Sequence, residues 1–103
     1  MRPAPEACET MAEVRAGVDS LDRDLVALLA ERFRYMNAAA RIKPARGHVR
    51  DEARKAQVIA NAAREATRLG LDPDIIEKLW DSLVEASIAH ELHVWDRLRE
   101  TAR

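Results

Sequence analysis

Residues 10–43 read TMAEVRAGVDSLDRDLVALLAERFRYMNAAARIK, and their spacing predicts one unbroken helix of about 32 residues. Thr10 with Glu13 three positions on forms a capping box that serves orphan backbone donors at the start. Pro44 marks the end, because the residue before a proline is pushed out of the α region. Between these marks Val14, Val18, Leu21, Leu25 and Leu28 alternate four and three apart, the stripe of a helix that packs on another. The next position in that spacing is a cation, Arg32, followed by Tyr35 and Ala39.

A guanidinium on a packing seam costs several kcal/mol to desolvate unless it is paired. Lys43 lies 11 residues further on, which at ~100° per residue returns it to within ~20° of the same face. Two cations therefore line one wall. Arg15 is rotated roughly 100° away from Arg32 and faces something else.

Outside this helix the chain gives two more. Met1 to Glu9, with two prolines, reads as a flexible or loosely docked tail ahead of a helical domain spanning 10–103. Pro44 to Arg50 (PARGHVR) is a short basic loop. Asp51 is an N-cap for a second, alanine-rich helix running to Leu69 and closed by Gly70. Asp72-Pro73 starts a third helix that runs to about Arg99. The expected architecture is all-α, with three helices in the order long, short, long. At ~1.5 Å per residue the first helix spans roughly 48 Å, against a diameter of about 33 Å for a compact chain of this length. Its stripe needs another copy of the chain, which predicts an intertwined homodimer.

The 103 residues allow one domain with a small core. Lys and Arg number 17 against 18 Asp and Glu, and the two signs are interspersed, so no field selects nucleic acid or an anionic membrane. Anion recognition must then be local. Cys8 has no partner for an intrachain disulfide and no paired base for nucleophilic catalysis. No segment has the ~18 apolar residues of a membrane span and no secretory leader is evident, so a soluble cytoplasmic protein is expected.

The third helix carries Trp80, Val84, Ser87, Glu91, Trp95 and Leu98 three or four apart, so Ser87 and Glu91 interrupt an apolar line as Arg32 does on the first helix. Each, alone, is compatible with an ordinary ion pair or a snorkelling side chain. Together they suggest a buried pocket with excess positive charge, suited to a small polyanion whose carboxylates match arginine forks. Arg54, on the first turn of the second helix, reads as a solvated cation when taken alone, as does Arg15. His90, Glu91 and His93 do not have the spacing of a helical zinc site, and no glycine-rich phosphate loop is present, so neither a metal nor a cofactor is expected.

These features resemble the all-helical class of chorismate mutases and its relative, isochorismate-pyruvate lyase. The resemblance rests on EVRAGVDSLDRDLVALLAER, with its R-x-x-x-D-x-x-D-x-x-L-x-x-L-x-x-x-R pattern, then RIK, VRDEAR and EASIAHE, and covers about residues 10 to 98. It implies an intertwined dimer of three-helix chains in which Arg15 reaches the partner's pocket. It further implies that Arg32, Lys43 and Arg54 surround the two carboxylates and the ether oxygen of chorismate or isochorismate. Asp51 would lie near the ring hydroxyl and Ser87 near a carboxylate.

Two positions depart from the family pattern. Lys55 stands where several mutases have a glutamate that holds the ring hydroxyl, and Glu91 where the family usually has a glutamine. An ionised carboxylate has no proton to give an oxygen that gains negative charge, whereas a protonated one does. The implied reaction is the cofactor-free rearrangement of chorismate to prephenate, with Lys43 and protonated Glu91 on the ether oxygen. The alternatives are pyruvate elimination from isochorismate, which the short Lys43–Arg54 spacing also fits, and a non-catalytic helical dimer.

Overall fold

The computed structural model describes residues 2–100; the expected domain end at residue 103 lies outside them. Its helices are α1 (Met11–Ile42, 32 residues), α2 (Glu52–Arg68, 17 residues) and α3 (Pro73–Glu100, 28 residues). Short 3-10 turns occupy Pro5–Ala7 and Arg46–His48. Among the described residues there is no strand, and no helix is long and apolar enough to cross a membrane. The all-α, long–short–long order is therefore the fold.

Local chemistry sets each boundary within two residues of the sequence reading. At the start of α1 the Thr10 hydroxyl accepts from Glu13 N–H at 3.2 Å, while Glu13 Oε1 reaches back to Glu9 N–H at 3.4 Å. Asp51 caps α2 by accepting from Arg54 N–H at 3.0 Å. That helix ends in a full Schellman motif, Leu71 N–H to Ala66 O at 2.8 Å and Gly70 N–H to Thr67 O at 3.1 Å. Gly70 has φ 77°, a left-handed conformation that a side chain disfavours. Asp72 Oδ1 accepts from Asp74 N–H at 2.9 Å and opens α3.

The chain divides into two compact units, Met1–Arg34 and Tyr35–Arg103, with α1 contributing to both. In the first, the tail docks on its helix. Pro3 O comes within 4.0 Å of the place a Cβ on Gly17 would take, and Arg2 pairs with Asp24 at 2.5 Å. The apolar stripe remains open to solvent in the single chain, Leu25 at 49% and Leu28 at 61% exposure. An apolar stripe of that size is the kind of surface that proteins use to contact a partner.

The second unit holds the core. α2 and α3 pack as a hairpin around buried Val49, Val84 and Ile88, flanked by Val58, Ile59, Leu92 and Trp95. Each such aliphatic side chain contributes about 1.5–3 kcal/mol on burial. Ion pairs staple the rim. Arg50 forks onto Glu85 at 2.8 and 3.1 Å, and Lys55 Nζ sits between Glu85 (2.8 Å) and Asp81 (3.0 Å).

Candidate active site

Lys43 follows directly on α1, where Pro44 stops the helix, and its Nζ donates to Glu91 Oε2 on α3 at 2.7 Å. The carboxylate side chain is 5% exposed and the lysine side chain 30%, so this is a part-buried pair in which the carboxylate is the more deeply enclosed partner. Charge-assisted bonds of this length are about twice as strong as neutral ones. Ser87, one turn earlier on α3, is also buried, and its hydroxyl donates to Leu83 O at 2.7 Å. Two polar side chains thus stand on a face otherwise made of Val84 and Ile88.

The other expected residues are distributed differently. Asp51 spends one carboxylate oxygen on the α2 cap. Arg54 is exposed and donates from Nη1 to Gln57 Oε1 at 2.7 Å, so in the free chain it lies along its own helix. Arg15, exposed, and Arg32, half-buried, belong to the first unit. His90 Nε2–H donates to Asn37 Oδ1 at 2.6 Å and Glu91 is taken by Lys43, so two of the three residues His90, Glu91 and His93 have separate partners.

Lys55, the cation where the family pattern has a carboxylate, is already held by two acids. Glu85, its shared partner, is lowered from 4.5 to about 2, first by the hydrogen bond from Arg50 and then by that from Lys55. Bonds to Glu85 and then Asp81 raise the Lys55 ammonium in turn. Across the loop, Arg46 forks onto Asp96 at 2.8 and 3.2 Å, which lowers the Asp96 carboxyl.

A family model described as chorismate mutase type II matches residues 14–92. The chain belongs to the chorismate mutase type II family. Within and around that family, it is 32% identical over 98 residues to the isochorismate pyruvate lyase of Pseudomonas aeruginosa, covering 95% of this chain and 97% of the relative. It is 27% identical over 84 residues to the T-protein of Haemophilus influenzae, covering 81% of this chain but 22% of that longer protein. Family membership makes chorismate-type small molecules the substrate class.

One part of the chorismate mutase-type chain escaped the sequence reading. On α3 the apolar line includes Leu98, 43% exposed in the single chain, and the next residue, Arg99, also turns towards the end of α1. The signal was present in the spacing of Glu91, Trp95 and Arg99, four apart, opposite a helix end that a proline deprives of a donor.

Proposed function

We propose that the protein is a chorismate mutase acting as a homodimer, rearranging chorismate to prephenate without a covalent intermediate. The observation that carries this reading is the Lys43–Glu91 pair, an ammonium held at a buried carboxylate on a face where hydrocarbon is otherwise used. In the proposed mechanism Lys43 moves its donation from Glu91 to the breaking ether oxygen, where negative charge develops, and a protonated Glu91 gives the same oxygen a second bond. Arg32 and Arg54 take the carboxylates, Asp51 the ring hydroxyl and Ser87 a carboxylate oxygen, with Arg15 supplied by the partner copy. Holding the dianion in its folded conformer supplies the rest of the rate.

Pyruvate elimination from isochorismate is the second reading, favoured by 32% identity to a lyase across nearly the whole of both chains. The same cations serve either reaction. Purified protein is offered each substrate, and loss of chorismate is followed alongside release of pyruvate. Prephenate formation abolished by Arg32→Ala is the expected result. Pyruvate release from isochorismate alone selects the lyase. No turnover of either substrate, or turnover indifferent to Arg32→Ala, overturns the enzyme reading.

A further inference from the structure

Pro44 creates a vacancy at the end of α1. In a continuing helix the N–H of residue 44 would serve the carbonyl of Ala40, but proline has no such hydrogen. Ala40 is fully buried, so water is no substitute. Arg99 fills the place, donating from Nη1 to Ala40 O at 2.7 Å and from Nη2 to Lys43 O at 2.8 Å. Trp95 Nε1–H gives Lys43 O a second donor at 3.0 Å. The guanidinium carbon lies over the Trp95 ring, 4.3 Å from its centroid, so the indole face supports the group that serves both carbonyls. Positive charge at a helix C-terminus is favourable in its own right.

Glu91, Trp95 and Arg99 share one face of α3, and all three act on the same residue. Lys43 is held at both ends: its carbonyl by indole and guanidinium, its ammonium by the carboxylate. A lysine has a long, flexible stem, so an ammonium is aimed only if the backbone beneath it is fixed.

We propose that Arg99 and Trp95 are positioning residues that clamp the backbone of Lys43 and thereby aim its ammonium. The proposal rests on Lys43 being the cation that acts on the substrate, as assigned above. Neither clamp residue needs to touch substrate; both act through Lys43.

The test measures turnover of whichever substrate the wild type accepts, in Arg99→Ala, Arg99→Lys, Trp95→Phe, Lys43→Gln and the Arg99→Ala/Lys43→Gln double variant. Melting curves and amide hydrogen exchange at Lys43 accompany the kinetics. Arg99→Ala lowers kcat by about tenfold or more, since small misplacements of a catalytic group are costly. KM stays within about twofold, because substrate binding is not what was removed. Arg99→Lys, which reaches one carbonyl but not both, recovers part of the loss. Trp95→Phe keeps the ring and loses one donor, for a loss of roughly threefold. In the Lys43→Gln background Arg99→Ala has no further effect, the signature of residues that act as a unit.

An unchanged kcat in Arg99→Ala, or the same loss with and without Lys43, overturns the proposal. If Arg99→Ala does not fold, Trp95→Phe is carried through the same cycle with the same criteria. Wild-type turnover in Lys43→Gln, or no turnover in the wild type, refutes the assignment of Lys43 instead. Exchange then judges the clamp itself. The Lys43 N–H, bonded to Ala39 O at 2.9 Å, exchanges faster in both clamp variants if the clamp holds. Unaltered exchange overturns it.

Discussion

Lys43 Nζ and Glu91 Oε2 meet at 2.7 Å across 48 residues of sequence, and each depends on the other. Without the ammonium, Glu91 is a buried charge with no counter-ion; without the carboxylate, Lys43 loses its resting partner. The proton on Glu91 decides what the pair offers a substrate. Ionised, the carboxylate accepts from Lys43 and competes with an incoming oxygen for it. Protonated, it becomes a second donor.

Glu91→Gln exchanges an acceptor-only carboxylate for an amide that donates, and is expected to keep or raise turnover of chorismate, whereas Glu91→Ala, which offers the ether oxygen no donor, lowers it by about tenfold or more. Initial rates of the three proteins in one buffer provide the check. Equal rates in all three remove Glu91 from the ether oxygen.

Removing the lysine tests the pair from the other side. Lys43→Ala leaves the Glu91 carboxylate buried and unpaired, a change that in comparable sites costs about 3–5 kcal/mol, here reduced because the lysine is partly exposed. Adding Glu91→Gln recovers much of that loss. Urea denaturation of the single and double variants measures it, and strictly additive effects would show that the two groups are not coupled.

Glu85 contributes to stability in acid. Its carboxyl sits at about 2 in the folded chain against an ordinary 4.5, chiefly because Arg50 and Lys55 donate to it. A depressed value means that its contribution is complete above the ordinary value and disappears as pH falls from there towards the folded one. The melting temperature of the wild type drops across that acid window, and Glu85→Gln starts lower at neutral pH but loses less on acidification. Parallel acid limbs for the two proteins would contradict the role of the Arg50–Glu85–Lys55 group.

Gly70→Ala forces a side chain into a left-handed conformation at φ 77°. The expected cost is about 1 kcal/mol, visible in the denaturation midpoint, with kcat unchanged because the turn is exposed and holds no proposed substrate ligand. A variant as stable as the wild type would show that the Schellman turn relaxes without penalty.

The exposed α1 stripe predicts a dimer in solution. Leu25→Asp, at a position 49% exposed in the single chain, places a charge in that seam and is expected to yield monomer in analytical ultracentrifugation. Sedimentation of the wild type as a monomer refutes the arrangement in which Arg15 serves a partner.

Periodicity and caps made nearly the whole secondary structure legible from sequence, because those signals are local. Thr10, Pro44, Asp51, Gly70 and Pro73 each act within four residues of themselves, and the helices begin and end beside them. The placing of Ser87 and Glu91 on a buried face was legible too, since a 3.6-residue repeat fixes which side chains share a side. What the sequence did not determine is pairing between residues far apart along the chain. That Lys43 meets Glu91, that Lys55 is consumed by Asp81 and Glu85, and that Arg99 reaches the carbonyls at the end of α1 follow from the packing of α2 on α3 and of α3 against the end of α1. A charged side chain takes whichever partner the fold places within about 3 Å, and no repeat along one helix encodes where another helix will lie.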